Sequence, residues 1–392
     1  MTSDYDVAVV GGGINGVGVA QAAAAAGHKV LLLEQSALAH GTSSRSSKLI
    51  HGGLRYLETA QLALVRESLH ERAVLLRLAP DLVRLVPFHI PIYRNTHRRP
   101  WQIRAGLALY AMLAGMKPEN RFASVPRREW DDLDGIDTRD LIAVFRYYDG
   151  QTDDAMLTQA VARSAQSLGA EVVLPGRFEG AALDADGCRV DFTGAGQQRS
   201  CRTRVLVNAA GPWVNQVAER VTPAPPRREI DLVRGTHILV RGRLARGIYY
   251  LETPADGRAV FAMPRQDATL VGTTEAVYDG DPGAVQPPAS EQDYLCNVLR
   301  HYFPALRGGG PEVISAYAGL RVLPRGAGRA FDRPRETIFT MDRPERPRVL
   351  SIYGGKLTTW RATAAKVMRR IAGSLPRRRP VAETDRLMLT QE

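Results

Sequence analysis

From Tyr5 to Leu57 the chain reads YDVAVVGGGINGVGVAQAAAAAGHKVLLLEQSALAHGTSSRSSKLIHGGLRYL, and the opening of that stretch leaves little choice of fold. Val7 to Val10 is apolar without alternation, as in a parallel strand buried on both faces. It runs directly into Gly11, Gly13 and Gly16. An Ala-rich stretch to about Ala26 predicts a helix, and Gly27 is placed to stop it. A second apolar strand, Val30 to Leu33, ends at Glu34. Strand, glycine turn, helix, strand and terminal acid together make a dinucleotide-binding βαβ unit. Gly11 permits the tight turn, Gly13 lets the backbone approach a pyrophosphate, and Gly16 lets helix and strand pack closely. The helix start offers N–H groups and partial positive charge to that pyrophosphate. Glu34 is positioned to accept from a ribose diol. NAD and FAD both fit this unit.

The rest of the composition narrows the class. The chain has 392 residues, enough for two lobes with cores of their own. No apolar run reaches the length of a membrane-spanning helix. The opening MTSDYD has no basic n-region, so no signal peptide is expected and the cytoplasm is the expected compartment. Cys188, Cys201 and Cys296 lie far apart without metal-ligand spacing, which predicts reduced structural thiols and no metal. The net charge of +11 draws phosphates, anionic lipid or nucleic acid. No nucleic-acid motif accompanies it, so nucleic acid is not an expected partner. The surplus, mostly Arg, has a plain compositional explanation. Its functional one is attraction of an anionic substrate and an anionic membrane face.

Further along, 61–78 has helical periodicity and stops at Pro80, and 84–93 is β-prone. The stretch 94–116 sets cations and Trp101 beside a short apolar helix, suiting either interfacial membrane contact or a helix covering a sheet. A helix is predicted over 155–168, a strand over 171–174, a hairpin around Asp186-Gly187, and a buried strand over 204–208 ending in NAAGPW. Short β-prone runs from Glu229 to Glu275 predict an antiparallel sheet. A helix over 291–302, the stretch 313–323 with Arg321 in AGLRVLP, an Arg-rich loop over 325–335 and a strand over 348–353 follow. The last strand leads through GGKLTT into a helix ending near Ala372, a second strand–glycine–helix turn whose dipole suits the electron-rich edge of a reduced flavin.

GGGINGxGxA, TSSxSSKLIHGGLRYLE and GGKLTT in combination resemble the FAD-dependent glycerol-3-phosphate dehydrogenases of the aerobic, quinone-reducing type, over about residues 5–372. The resemblance implies an α/β protein: a Rossmann-like FAD-binding lobe of the amine-oxidase-like (DAO) flavoprotein fold, with an inserted α+β substrate lobe containing an antiparallel sheet. It implies FAD as cofactor, glycerol 3-phosphate as substrate and quinone as acceptor. It also implies peripheral contact with the anionic inner face of the cytoplasmic membrane. FAD would be held by Gly11, Gly13, Asn15, Gly16 and Glu34, by Thr42, Ser43, Ser44, Ser47 and Leu49, by Gly211, and by Gly354, Gly355, Lys356, Leu357 and Thr358. Arg55, Tyr56, Thr274, Arg321 and Arg335 would bind substrate, with Arg321 and Arg335 as the main phosphate ligands. Arg55 and Lys356 would lie near the hydroxyls and the flavin. His51 and His237 both have the chemistry of the base; His51, between the flavin run and Arg55, is preferred. His28, His40, His70, His89, His97 and His301 read as structural or surface residues.

These readings assign 1–90, 145–225 and 345–374 to a discontinuous FAD lobe, and 91–144 and 226–344 to the substrate lobe. Residues 375–392 read as a charged, poorly patterned tail, and the helical C-terminal domain of full-length relatives is not expected in this chain. The competing functions are an oxidase or dehydrogenase of a related hydroxy acid or polyol phosphate, and a non-catalytic flavin-binding subunit.

Overall fold

The computed structural model describes residues 3–326, 333 and 336–391. The predicted βαβ unit forms as β1 (Tyr5–Val10), α1 (Ile14–Ala25) and β2 (Val30–Leu33), with β1 and β2 parallel. Strand alternation divides β1 between two cores. Val7 and Val9 pack with the helices on one face, while Ala8 and Val10 pack with Phe178, Val190 and Phe192 on the other. Both faces being covered explains the unbroken apolar run. On its other side β1 pairs in parallel with Gln197–Asn208, which pairs in parallel with Val349–Tyr353. The first sheet is thus assembled from strands at the start, middle and end of the chain. Its hairpin, Gly176–Leu183 with Cys188–Gly194, forms the antiparallel extension expected around Asp186-Gly187. Cys188 and Cys201 are buried free thiols, pushed up to about 12 mainly by burial.

α1 is polyalanine in character because it is enclosed. It packs between the helices Asp154–Ser167 and Trp360–Ile371. A Cβ at Gly16 would sit 1.9 Å from the Gly11 carbonyl oxygen, and one at Gly18 would sit 2.6 Å from the Trp360 ring. Gly27, with φ +85°, ends the helix as expected, and the His28 amide donates to the Ala23 carbonyl at 3.1 Å.

The second sheet is mainly antiparallel and is built on Ile230–Arg241, which pairs with Ala268–Gly272 and, along most of its length, with Val313–Pro324. It also takes in Val83–Tyr93, Leu141–Thr152 and Leu49–Ile50. Hydrogen bonding therefore puts 83–90 and 145–152 in the second sheet, whereas the sequence reading grouped them with the segments that build the first. The helix Ala289–Tyr302 covers one face, and Leu62–Leu78 and Pro100–Leu113 cover the other. Among the described residues no helix is long and apolar enough to cross a membrane.

The tail is more ordered than its pattern suggests. The amides of Val381 and Ala382 donate to the Ala25 carbonyl at 2.8 and 3.1 Å, and that of Leu389 donates to the Leu78 carbonyl at 2.7 Å. These bonds satisfy carbonyls left open at two helix C-termini. Leu389 is 2% exposed, part of the core beneath α1.

The two glycine environments predict opposite effects. Gly18→Ala meets the buried Trp360 indole, so it should lower stability by about 1–3 kcal/mol. Gly106→Ala, in the exposed helix Pro100–Leu113 where a Cβ meets nothing within 4 Å, should raise it by about 1 kcal/mol. Urea unfolding midpoints of the two variants check both signs.

Candidate active site

Where the two sheets meet, a cavity of ≈ 880 Å³ runs from the glycine turn after β1 to the Gly354–Thr358 turn after the last strand. Each end is built by the same local device, a strand feeding a glycine turn and a helix start. At the first end lie Gly11, Gly13, Asn15 and Glu34. The Glu34 carboxylate accepts from the Gly12 amide at 2.7 Å and the Ser36 amide at 2.8 Å, and the Ile14 amide donates to Ser43 Oγ at 2.9 Å. Asn15 Nδ2 donates to the Gly354 carbonyl at 3.1 Å, while its Oδ1 is buried without a partner among the described residues. A Cβ at Gly355, where φ is +107°, would sit 2.5 Å from that amide nitrogen. Only glycine lets the two turns come so close.

The hydroxyl run does mixed work. Thr42, Ser43, Ser47 and Leu49 line the cavity. Thr42 Oγ1 also donates to the Leu320 carbonyl at 2.6 Å, tying the run to the second sheet. Ser44 is not on the wall; its hydroxyl turns back to the Gly41 carbonyl. Gly16 is not on the wall either, since it serves the contact with Gly11. Beneath the run, Lys48 Nζ is 2.5 Å from Asp154 Oδ1, and Asp154 also accepts from Ser46. This buried pair, which the sequence reading did not single out, fixes the backbone between the hydroxyls and His51.

His51, Arg55, Tyr56, His237, Thr274, Arg321, Gly211, Gly354, Gly355, Lys356, Leu357 and Thr358 all line the same cavity. Arg335 lies outside the described residues. Thr358 Oγ1 accepts from the His51 amide at 3.1 Å, so the helix start at the far end of the chain holds the His51 loop. The Gly52 amide donates to Tyr110 Oη at 2.7 Å, Tyr110 donates to Asp149 at 2.5 Å, and Asp149 is paired with buried Arg72 at 2.7 Å. Lys356 Nζ sits 3.8 Å from the centre of the Tyr56 ring, and the Arg55 guanidinium lies 5.0 Å from the same centre. Arg321 Nη2 donates to Thr273 Oγ1 at 3.1 Å, and Nη1 lies 3.5 Å from the Glu275 carboxylate.

The two histidines sit in different settings. Burial is the main reason the His51 imidazole falls to about 4; Asp149 opposes the shift, and Lys356, Arg55 and Arg72 reinforce it. His237 falls to about 3 through burial and the charges of Arg321 and Lys48. Both are neutral at pH 7. His237 Nε2 is engaged with Ser47 Oγ at 2.9 Å, and its ring stacks on Tyr317 at 5.0 Å. His51 faces the cavity with its ring edge-on to Phe261.

Sequence reasoning missed the aromatic wall of Tyr147, Tyr250 and Phe261 and the carboxylate of Glu275. The strands carrying the aromatics were readable, but which residues face the cavity depends on where the sheets meet. Glu275 follows Thr274 directly, and its closeness to Arg321 comes from strand pairing. The glycine turn at each end of the cavity and the buried open acceptor of Asn15 fit a bound dinucleotide such as FAD.

Residues 6–361 match the family described as FAD dependent oxidoreductase (DAO). The chain is 38% identical over 379 residues to D-erythritol 1-phosphate dehydrogenase of Brucella abortus (strain 2308), covering 95% of this chain and 74% of that protein. It is 38% identical over 389 residues to glycerol-3-phosphate dehydrogenase of Pseudomonas tolaasii, covering 96% and 73%. The structure of glycerol-3-phosphate dehydrogenase from Bacillus halodurans complexed with FAD superposes with a TM-score of 0.76 at 26% identity, covering 98% of this chain and 67% of that one. Because the match takes in both chain ends that close on the cavity, the chain belongs to the family of FAD-dependent oxidoreductases, with FAD as its cofactor.

Proposed function

We propose that the protein oxidises sn-glycerol 3-phosphate to dihydroxyacetone phosphate. The observation that carries this reading is the placing of Arg55 and Lys356 beside the neutral imidazole of His51, with Arg321 on the wall of the same cavity 3.5 Å from Glu275. The similarity to dehydrogenases of two polyol phosphates supports it. D-Erythritol 1-phosphate is the second reading, favoured by the Brucella relative. When bound, FAD supplies the two-electron acceptor.

Arg321, with Arg55, takes the substrate phosphate, because a guanidinium presents paired donors to phosphate oxygens in low dielectric. Arg335 is proposed as a further phosphate ligand. Tyr56, clasped by Arg55 and Lys356, and Thr274 shape the pocket around the hydroxyls. An imidazole nitrogen of His51 takes the proton of the alcohol being oxidised, and its low basicity keeps it ready over the physiological range. His237 positions Ser47. The backbone donors at the start of Trp360–Ile371 favour negative charge at the adjoining end of the cavity. Gly11, Gly13, Asn15, Glu34, Thr42, Ser43, Ser47, Leu49, Gly211 and Gly354–Thr358 are proposed to hold FAD.

Electrons leave to a membrane quinone, and the protein meets the membrane through the helix Pro100–Leu113. Its inner face, Ile103, Leu107 and Tyr110, covers the second sheet. Trp101, Ala105, Ala108 and Met112 form an exposed stripe with Arg99 and Arg104 nearby, and Trp101 is 70% exposed. That pairing of aromatic and cationic side chains suits an anionic interface.

Anaerobic mixing of the yellow protein with glycerol 3-phosphate should bleach the flavin, and glycerol should not. Absence of bleaching by any polyol phosphate would remove the reading. His51→Gln should retain FAD and lower kcat on the order of 10²- to 10⁴-fold. The wild-type pH profile of kcat/KM should fall as pH drops through about 4, where the base becomes protonated, and His51→Gln should lack that limb. Arg321→Ala should lower kcat/KM for glycerol 3-phosphate about 10²-fold and narrow its advantage over glycerol. Unchanged steady-state kinetics would rule out the clamp. Trp101→Glu should weaken co-sedimentation with phosphatidylglycerol vesicles severalfold without changing the flavin spectrum.

A further inference from the structure

A second cavity, of ≈ 860 Å³, lies beside the first and shares Leu54, Arg55, Tyr250, Arg258 and Glu275 with it. We propose that this cavity is a subsite for the distal hydroxyls of longer substrates, so that the enzyme takes four- and five-carbon polyol phosphates as well as glycerol 3-phosphate. The inference rests on the polyol-phosphate reading above.

The shared wall places the subsite next to the chemistry. Arg55 and Glu275 stand on the boundary, and Arg321 lies 3.5 Å from Glu275 on the first side. A three-carbon substrate oxidised at its central carbon extends only one hydroxymethyl group beyond the reacting centre. Each added carbon of a longer polyol carries another hydroxyl and must go where there is volume and hydrogen bonding.

The far wall supplies both. Glu58 is bound by Arg98 Nε at 2.5 Å, and Asp256 by Arg258 Nε at 2.8 Å. Asp256 also accepts from Thr253, Tyr294 and the Arg258 amide and is filled, but among the described residues Glu58 accepts from Arg98 alone, so hydroxyl donors can be added at Glu58 without breaking its pair.

Room is also preserved on the helix side. Gly106 lines the cavity from within the helix Pro100–Leu113, and a Cβ there would meet nothing within 4 Å. Glycine is a poor helix residue compared with alanine. No packing contact requires it here, so its consequence is open volume beside the substrate.

The test is a comparison of chain lengths. Wild-type protein is mixed anaerobically with glycerol 3-phosphate, D-erythritol 1-phosphate and a pentitol phosphate, and kcat/KM is measured for each. All three should bleach the flavin. Gly106→Phe, which fills the cavity, should lower the ratio of kcat/KM for D-erythritol 1-phosphate to that for glycerol 3-phosphate about tenfold or more. If that variant does not fold, Glu58→Gln, which keeps the volume and removes a charged acceptor, should lower the same ratio severalfold. Bleaching by glycerol 3-phosphate alone, or a ratio unchanged in the folded variant, overturns the subsite and leaves the parent reading intact. Failure of all three compounds overturns both.

Discussion

The side-chain amide of Asn15 donates to the carbonyl of Gly354 across 339 positions of sequence, and the active site exists because that meeting is possible. It needs Gly355 without a Cβ, and Gly18 without one where Trp360 lies against α1. It also needs Val349–Tyr353 to have joined Gln197–Asn208, which in turn lies against β1. None of these contacts is local. The entropy of closing such a large loop must be met before the cofactor cradle is complete. The apolar surface buried in the same sheet is what meets it, with Val7, Val207 and Leu350 all at 0% exposure. The strands that build the first sheet are thus the ones that bring the two ends of the dinucleotide site together.

How far the sequence could be read follows from that distinction. The βαβ unit was legible because its strand, turn, helix and acid lie within one continuous stretch and obey local rules. The GGKLTT turn was legible for the same reason. Whether 83–93 belongs to one sheet or the other was not, since the apolar pattern of a strand does not name its partner. Ser44 reads like its neighbours, yet its hydroxyl bonds the Gly41 carbonyl, and the irregular backbone of the turn decides that. His237 carries the chemistry of a base, but the residue that engages its Nε2 is Ser47, 190 positions away. Leu389 sits in a charged tail and is buried because two helix ends hold that tail, one through Val381 and Ala382 and the other through the Leu389 amide itself.

Charge shows the same separation of composition from placement. The net +11 describes the whole chain, but exposed pairs such as Arg139–Asp137 and Arg241–Glu312 contribute little to stability in water. Arg72–Asp149, Lys48–Asp154 and Arg361–Glu71 are buried or nearly so, and each pins a segment that borders the cavity. Removing one partner from such a pair would leave an uncompensated charge in low dielectric. Their worth here is positional. Arg72 and Asp149 hold the Tyr110 hydroxyl that receives the Gly52 amide, Lys48 and Asp154 hold Ser46, and Arg361 anchors the helix that begins behind Thr358.

Tyr110 deserves its place at the end of that chain because of the helix it stands on. Pro100–Leu113 is the helix whose outer stripe carries Trp101, Ala105, Ala108 and Met112, and whose inner face carries Tyr110 toward Gly52, the residue after His51. A rigid helix transmits a displacement of one face to the other, because close-packed interiors yield little. The network from Tyr110 through Asp149 to Arg72 is closed and buried, so it too has few ways to relax. The surface stripe and the loop bearing the proposed base are therefore joined through the packing of this helix. One helix thus carries both the exposed stripe and the phenol that holds the Gly52 amide.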